Sequence, residues 1–285
     1  MHRGRNRNAR WLAPACAAAF LAFVATGNAG NMDSSWHLAW AENVGWINMA
    51  PSGGGVMLHF NGTSGYLSGL AWGENIGWIK WGADAGGPYE NTGTGNWGVN
   101  VDAGGVLRGY AWGENIGWLK LDSDTGQVLL DWTTGEFTGE AWGENIGWVR
   151  FRGDGDNYGV RTIAFERQAR GTPNWWLDLY GVNEDFDEGD GIPAWQEQVA
   201  DTDPRDPESF LAVVKVLQKP WGRLFYFPSS PARCYTLQSC EVPGSGIWSN
   251  VPGQVSIQGE GGMDLLMDAS SPPTAFHRLV VGENP

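Results

Sequence analysis

The sequence predicts an all-β protein with an antiparallel β domain built from four repeats. The octapeptide Ala-Trp-Gly-Glu-Asn-Ile-Gly-Trp occurs three times, and a near-copy, Ala-Trp-Ala-Glu-Asn-Val-Gly-Trp, occurs once. The four copies are Ala39–Trp46, Ala71–Trp78, Ala111–Trp118 and Ala141–Trp148. Their starts lie 32, 40 and 30 residues apart, a spacing typical of structural repeats. Apolar and polar residues alternate around each copy, which predicts short antiparallel strands.

Each octapeptide predicts a β-hairpin. Its central Gly-Glu-Asn-Ile-Gly segment suits a tight loop, because asparagine tolerates a left-handed backbone and glycine adopts one without strain. A five-residue loop would place the two tryptophans opposite each other, where such an aromatic pair contributes about 0.5–1.5 kcal/mol beyond its burial. We expect the tryptophans to serve as core or hairpin clasp, with the Glu-Asn pair bonding the loop backbone.

The alternative interpretation of the hairpins is a row of exposed aromatic side chains that stack on sugar rings. The candidate ligand-binding residues are then Trp72, Glu74, Asn75, Trp78, Trp112, Glu114, Asn115, Trp118, Trp142, Glu144, Asn145 and Trp148. Burial of these tryptophans would remove the sugar-binding surface, whereas exposure would support it.

The ends of the repeat domain, residues 30–166, predict how it closes. A short apolar segment precedes the second, third and fourth octapeptides (Val56–Phe60, Trp97–Val101 and Val128–Trp132), but none precedes the first. The segment Tyr158–Phe165 after the last octapeptide resembles Trp97–Val101 and could supply the missing strand. The array would then close into a ring or barrel without free sheet edges. An open stack with a terminal cap is the alternative.

Residues 1–29 are interpreted as a secretory signal peptide. Four arginines precede an apolar run from Trp11 to about Val24, and Gly27–Ala29 offers small residues for cleavage. The run is shorter than the roughly 20 residues of a membrane-spanning helix and contains Pro14. We therefore expect an exported protein without a membrane span after cleavage, secreted or at the cell surface, with the periplasm as a further possibility.

The charge of the chain restricts its partners. Removing the signal would leave 14 basic and 32 acidic side chains, a net charge of −18. Such a surface repels phosphate backbones, so nucleic acid is not expected as a partner. An acidic chain does suit loops that hold hard divalent cations such as calcium.

Residues 167–211 predict a linker with two short helices around an acidic loop. One helix should end at Gly181, and the second should span Pro193–Ala200, since proline suits a first helical turn. The loop between them, Asp185–Glu197, has the composition of a calcium loop, in which alternate acids, a sharp glycine turn, one carbonyl and a final glutamate supply the oxygens.

An EF-hand-type count back from Glu197 as the twelfth position places Asp190 fifth, Gly191 sixth and Ile192 as the carbonyl donor. The first and third positions would then be Phe186 and Glu188. Asp185 and Asp187 take those two positions only if one residue is inserted, for example as a bulge at Gly189. The predicted calcium ligands are Asp185, Asp187, Asp190, Ile192 and Glu197.

The linker also resembles a known family. The segment Trp175–Gly181, the acidic loop and Thr202–Ser209 together look like the calcium-binding linkers of exported bacterial proteins, which are similar to thrombospondin type 3 repeats. The resemblance covers about residues 173–210. It implies Asp185, Asp187, Asp190 and Glu197 as calcium ligands, with Asp203 and Asp206 as further candidates.

Residues 212–285 predict a small β-sandwich. Predicted strands are Leu224–Phe227, Tyr235–Ser239, Val255–Gln258, Met263–Met267 and Phe276–Val281. Arg233–Ser239, Trp248 and Phe276–Leu279 resemble fibronectin type III-like modules, although His277 stands where those modules carry an aromatic residue. A straight strand between Cys234 and Cys240 would hold their Cα atoms about 20 Å apart, too far for a disulfide.

The residues of the chain give little support for catalysis. Of the four histidines none has metal-ligand spacing, and no His-Glu-x-x-His or Gly-x-Ser-x-Gly motif occurs. A carboxylate pair for glycoside hydrolysis would require two repeated glutamates in different environments, which near-identical repeats disfavour. We expect a non-enzymatic surface or extracellular interaction protein with a calcium-stabilised linker. The alternative is a carbohydrate-binding protein. The octapeptides also resemble tryptophan-rich repeats of exported bacterial proteins, a resemblance that implies no particular activity.

Overall fold

The computed structural model describes residues 30–269 and 275–283, and of Ser245 only the backbone. The predicted signal peptide, residues 1–29, lies outside the described residues. In the described chain up to residue 165 every regular element is a strand. These strands are β1 (Met32–Ala41), β2 (Gly45–Asn48), β3 (Gly55–Phe60), β4 (Gly65–Gly73), β5 (Gly77–Lys80), β6 (Val99–Val101), β7 (Leu107–Gly113), β8 (Gly117–Lys120), β9 (Val128–Leu130), β10 (Glu136–Gly143), β11 (Gly147–Arg150) and β12 (Val160–Thr162).

Each octapeptide folds into an antiparallel hairpin, as predicted. The hairpins are β1–β2, β4–β5, β7–β8 and β10–β11. In the second hairpin Trp72 pairs with Trp78 and Gly73 with Gly77, so the loop proper is Glu74–Ile76. Gly77 has a φ of +77°, a left-handed conformation that glycine adopts without strain, and the equivalent glycine of each other hairpin does the same. The tight loop therefore follows directly from the repeated sequence.

The four hairpins join side by side into a closed ring. Strand β2 pairs with β4, β5 with β7, β8 with β10, and β11 returns to β1. A second tier of short strands lies along the N-terminal halves of the long ones, where β6 bridges β4 and β7. Strand β12 pairs in the same way with β10 and β1. The predicted antiparallel β fold is therefore confirmed, and its ring-like closure uses the strand that follows the last octapeptide.

The interior of the ring is filled by alternate residues of the strands. In the hairpins these positions hold small residues on the long strand and branched residues on the short one: Ala39, Ala71, Ala111, Ala141, Ile47, Ile79, Leu119 and Val149. The loop isoleucines Ile76, Ile116 and Ile146 are also buried and close one end of the core. The outward positions between them carry the tryptophans, so strand alternation alone places the indoles outside the barrel.

The first octapeptide differs from the other three at two positions near the loop end of the core. A Cβ added to Gly73 would lie 2.5 Å from the side chain of Ile76. A Cβ added to Gly113 or Gly143 would come comparably close to the loop isoleucine of its own hairpin. The first octapeptide has Ala41 at this position and Val44 in place of isoleucine. Valine lacks the Cδ1 atom of isoleucine, so the alanine and the smaller loop residue occur together in this hairpin.

The opposite end of the ring is covered by aromatic residues and the linker. The ring of Phe60 lies 4.8 Å from Trp132, 5.4 Å from Phe165 and 5.1 Å from Trp175. Trp175 belongs to helix α1 (Asn174–Tyr180), which ends at Gly181 as predicted. Helix α2 (Ala194–Ala200) follows the acidic loop and begins after Pro193.

The C-terminal part forms two small antiparallel sheets. Its strands are β13 (Lys215–Lys219), β14 (Gly222–Ser229), β15 (Arg233–Cys240), β16 (Ser249–Asn250), β17 (Ile257–Gln258), β18 (Gly262–Asp268) and β19 (Phe276–Glu283). Strand β14 lies between β13 and β18, while β15 pairs with β16, β17 and β19. Phe225 and Phe227 of one sheet pack with Tyr235 and Leu237 of the other. Cys234 and Cys240 both lie on strand β15, and no disulfide joins them.

No helix in the described residues is long and apolar enough to cross a membrane.

Candidate functional site

The hairpin tryptophans form an exposed belt around the outside of the ring. We call the eight residues Trp40, Trp46, Trp72, Trp78, Trp112, Trp118, Trp142 and Trp148 the tryptophan belt. Seven of them have 36–45% of their surface exposed, and Trp148 is half-buried. Exposed tryptophan in this number is unusual, because large apolar surface is normally removed from water. The belt therefore lies outside the core, which was one of the two structural roles expected, whereas the clasp role is compatible with exposure.

Within three hairpins the indoles contact each other edge to face. Ring centroids lie 4.7 Å apart for Trp40 and Trp46, and the second and fourth hairpins are closely similar at 4.8 and 4.9 Å. These contacts stabilise the hairpins, as the predicted tryptophan pairing implied. In the third hairpin the residues also pair in register, but Trp118 contacts Trp97 at 5.1 Å and Tyr110 at 5.9 Å. No ring contact between Trp112 and Trp118 occurs in the described structure.

Polar residues separate neighbouring tryptophan pairs around the belt. Where one hairpin pairs with the next, Lys80 lies opposite Trp112, Lys120 opposite Trp142, and Asn48 opposite Trp72. Lys80 forms an ion pair with Asp84, and Arg150, opposite Trp40, pairs with Glu140 at 2.8 Å. Most cations beside the belt are thus already neutralised by acids.

The repeated asparagines bind the hairpin tips to one another. Asn75 Nδ2 donates to the carbonyl oxygen of Val44 at 3.0 Å, Asn115 Nδ2 to Ile76 at 3.1 Å, and Asn145 Nδ2 to Ile116 at 3.1 Å. Each acceptor is the loop residue of the preceding hairpin. These three asparagines therefore hold adjacent loops together, and their amide donors are engaged within the ring.

The repeated glutamates behave differently. Glu74, Glu114 and Glu144 are exposed at the loop tips, and none makes a hydrogen bond or ion pair with any other described residue. Glu42 accepts from the backbone N–H of Trp148 at 3.5 Å, where the last hairpin meets the first. The described tips contain no cluster of three carboxylates close enough to share a metal ion.

The acidic loop brings together a set of carboxylates that partly differs from the predicted one. Side-chain oxygens of Asp187, Glu188 and Asp190 lie within 4.8 Å of one another. Asp185 lies outside this cluster and forms an ion pair with Arg170 at 2.9 Å. Gly189 has a φ of +116°, a backbone conformation that glycine adopts without strain, and both carboxylate oxygens of the preceding Glu188 are buried. The sequence count had placed Glu188 at the third position without assigning it as a ligand.

The remaining predicted ligands lie at the junction of the loop and helix α2. Glu197 is fully buried, and burial together with the nearby Glu188 carboxylate raises its pKa to about 7. The backbone N–H of Ile192 donates to Asp190 Oδ1 at 2.7 Å, which fixes the turn around the predicted carbonyl donor. Thr202 Oγ1 donates to Glu197 Oε1 at 3.3 Å.

Several of these buried carboxylate oxygens have no hydrogen-bond partner. Among the described residues this holds for both oxygens of Glu188, Oδ2 of Asp190 and Oε2 of Glu197. Burying such groups without compensation costs several kcal/mol, in the range of about 2–7 kcal/mol for each polar group. A cation held by the cluster of Asp187, Glu188 and Asp190 would give partners to the oxygens of Glu188 and Asp190, whereas Glu197 lies outside that cluster. The donor set, oxygens from aspartate and glutamate only, suits a hard cation such as Ca²⁺.

Comparison of the chain with protein-family models, with curated proteins and with solved structures finds no match. Function is therefore inferred from the tryptophan belt and the acidic loop.

Proposed function

We propose that this protein is an exported, non-enzymatic interaction protein whose ring of four repeats binds a neutral polysaccharide through the tryptophan belt. The observation that carries the proposal is the exposure of the belt on the outer face of a closed ring. Exposed indoles offer flat apolar faces with an N–H donor at the edge. Sugar rings present the complementary combination of C–H faces and hydroxyl groups. Repetition around the ring would let one chain of sugars contact several hairpins, which multiplies a weak individual affinity.

The charge of the protein supports a neutral ligand. The full sequence has a net charge of −14, and the belt cations Lys80 and Arg150 are paired with acids. Anionic polysaccharides and nucleic acids would meet net repulsion at such a surface. Cell-surface or extracellular polysaccharides are consistent with the export predicted from residues 1–29.

A structural protein without a glycan ligand is the competing candidate, and the edge-to-face tryptophan contacts favour it. Such contacts stabilise hairpins whether or not a ligand binds. In that case the belt would contain three hairpin clasps, and its exposure would carry no binding function.

Pull-down on insoluble cellulose, chitin and mannan distinguishes the two candidates. We expect the wild-type protein to be retained by at least one of them, and Trp112→Ala and Trp142→Ala to reduce retention. Leu129→Ala is the matched control, because Leu129 is an exposed apolar residue of the ring outside the belt. If no polysaccharide retains the wild-type protein, or if Leu129→Ala has the same effect as the belt variants, the clasp interpretation stands instead.

We also propose that the acidic loop binds calcium and thereby stabilises the linker. Glu188, Asp190 and Glu197 supply the unpartnered buried oxygens, Asp187 completes the cluster, and the Ile192 carbonyl remains the expected backbone donor. The resemblance to thrombospondin type 3-like linkers agrees with this assignment. Bound calcium would hold the loop against helix α2, whose carbonyls at Gln198 and Val199 accept hydrogen bonds from Arg233 of the C-terminal part.

Thermal unfolding with calcium, with magnesium and with chelator tests the metal site. We expect calcium to raise the midpoint temperature, magnesium to do so less, and Glu197→Gln to remove the calcium effect. Glu144→Gln is the matched control, since Glu144 is an exposed carboxylate at a hairpin tip. A wild-type midpoint that is the same with calcium and with chelator would show that the loop holds no structural calcium.

A further inference from the structure

The third hairpin departs from the other three in its aromatic contacts. Its second tryptophan, Trp118, packs edge to face against Trp97, with ring centroids 5.1 Å apart. Glycines occupy the positions that face the second tryptophan of the second and fourth hairpins, where a Cβ on Gly54 or Gly126 would lie 2.8 and 2.4 Å from the indole. In the first hairpin the facing residue is Tyr158, 5.0 Å from Trp46. Only the third hairpin places a further tryptophan here.

A second residue distinguishes the third hairpin from the other three. Tyr110 faces outward two residues before the first tryptophan of the third hairpin, 5.9 Å from Trp118. The equivalent positions hold Leu38, Leu70 and Glu140. Trp118 therefore contacts two aromatic rings, those of Trp97 and Tyr110, and each of these two residues is specific to this repeat.

These rings form one wall of an open cleft of about 390 Å³. The opposite wall is the turn Asn91–Thr94 in the long connection between β5 and β6. All lining residues are aromatic, hydroxyl-bearing, amide or glycine, and none is charged. In the described structure, no hydrogen bond engages the Tyr110 hydroxyl or the indole N–H groups of Trp97 and Trp118. The cleft thus combines apolar ring faces with free polar groups at their edges.

The turn that forms the second wall is held in place by side chains. Asn91 has a φ of +56°, and its Oδ1 accepts from the backbone N–H of Gly98 at 3.0 Å. Asn96 Oδ1 accepts from Glu90 N at 2.8 Å. Tyr89 is buried beneath the turn, and its hydroxyl donates to the Leu67 carbonyl at 3.0 Å. A turn fixed in this way loses little conformational entropy when a ligand binds.

We propose that this cleft is the principal saccharide subsite of the protein, and that it takes a neutral pyranose unit of a polysaccharide. This inference rests on the proposed function of the belt. One face of the sugar ring packs on Trp97 or Trp118, and its hydroxyl groups bond to the Tyr110 hydroxyl and to Thr92 and Thr94. The absence of charged lining residues selects a neutral sugar, because a uronate or sulfated sugar would lose hydration without gaining an ion pair. The other hairpins supply weaker contacts to the same polysaccharide.

The repeats themselves provide conservative variants for a test. Trp97→Gly introduces the residue found at positions 54 and 126, and Tyr110→Leu introduces the residue found at position 70. Both residues already occur at equivalent positions of this ring, so we expect the variants to keep the fold. Trp142→Ala is the control in the belt but outside the cleft. Far-ultraviolet circular dichroism and the unfolding midpoint verify that each variant is folded.

Isothermal titration with cellohexaose, chitohexaose and mannohexaose measures the affinity. We expect Trp97→Gly and Tyr110→Leu each to weaken binding of the best probe about tenfold or more, as buried aromatic anchors do, and Trp142→Ala to weaken it by less. Equal losses in all three variants would overturn the cleft as the principal subsite while leaving the belt as the binding surface. Unchanged affinity in both cleft variants would do the same. If none of the three oligosaccharides and no insoluble polysaccharide binds the wild-type protein, the subsite and the proposed function are both wrong.

Discussion

The hairpin tips and the acidic loop use polar residues in opposite ways. At the tips, the asparagines donate to neighbouring loop carbonyls and the exposed glutamates are hydrated, so the repeated polar groups are satisfied. In the acidic loop, Glu188, Asp190 and Glu197 bury oxygens that lack partners among the described residues. The tips are complete as they stand, whereas the proposed cation would supply the partners that the loop oxygens lack.

This contrast separates residues that are repeated for structure from residues for which we propose a ligand. An asparagine stands at the position of Asn115 in every octapeptide, and in three of the four its side chain bonds to the loop of the preceding hairpin. Glu197 occurs once, and its burial raises its own pKa. Repetition therefore indicates the scaffold, and an unsatisfied buried group indicates where a ligand belongs. Variants at the hairpin tips and in the acidic loop test this comparison.

The largest effect should come from the buried tip of a hairpin. Ile116 is 1% exposed and packs in the ring core. We expect Ile116→Ala to lower the free energy of unfolding by about 2–5 kcal/mol, because it removes buried methyl and methylene groups and leaves a cavity. Urea unfolding measures the change, with the exposed Leu129→Ala as the control. Equal losses in the two variants would contradict the core role of the loop isoleucine.

The second prediction concerns pH in the presence of chelator. The ordinary pKa of a glutamate is near 4.5, and burial raises that of Glu197 to about 7 in the folded protein. The folded state therefore binds this proton more tightly than the unfolded chain, so the free energy of unfolding should fall as pH rises from about 4.5 to 7. The contribution of this one group is about 2–3 kcal/mol.

Chemical unfolding at several pH values with chelator measures this decline. The decline should be smaller in Glu197→Gln, which cannot ionise, and smaller with calcium, which would keep the carboxylate ionised. An identical pH dependence in wild type and Glu197→Gln would show that this carboxyl does not titrate with a raised pKa.

The contribution of the repeated asparagine to stability can be tested at position 115. Asn115→Ala removes the hydrogen bond to the Ile76 carbonyl and should lower the free energy of unfolding by about 0.5–1.5 kcal/mol. Hydrogen exchange of the backbone amides in the adjacent loop should also accelerate, because the clasp between two tips is lost. Unchanged stability and exchange would mean that backbone pairing alone holds the hairpins together.

The smallest effect should come from the neighbouring glutamate. Glu114→Ala changes an exposed tip residue without a described partner, and we expect a change in stability within about 0.5 kcal/mol. It should also leave retention on polysaccharide unchanged if indoles carry the binding. A strong loss of retention would instead assign the glutamates to the ligand surface.

The features that depend on local periodicity could be predicted from the sequence. Strand alternation and the turn residues predicted the hairpins, and the similarity of Tyr158–Phe165 to Trp97–Val101 predicted the closing strand. The helix ending at Gly181 was likewise predicted from its glycine. These features are encoded by neighbouring residues or by visible repetition, so one sequence is sufficient to find them.

The features that depend on a single distant contact could not be predicted. Asp185 lies outside the acidic cluster and forms an ion pair with Arg170, and no periodicity in the sequence indicates that pairing. The carboxylate oxygens of Glu188 are buried beside Gly189, whose φ is positive, and the position count alone does not reveal this. The cleft beside Trp118 depends on the burial of Tyr89 and on three asparagines that fold an irregular connection. A signal was nevertheless present, since Trp97 and Tyr110 interrupt an otherwise regular repeat.

The closure of the ring through β12 has a consequence for the order of the chain. The backbone N–H of Ile163 donates to the Asn31 carbonyl at 2.9 Å, so the two ends of the repeat domain are neighbours. A short peptide joining them should allow the domain to be opened elsewhere, for example in the exposed turn near Gly93. Such a circular permutant would start in the third repeat and still contain every strand pairing. Which repeat comes first is then set only by where the chain enters the ring, because the ring of hairpins itself has no first repeat.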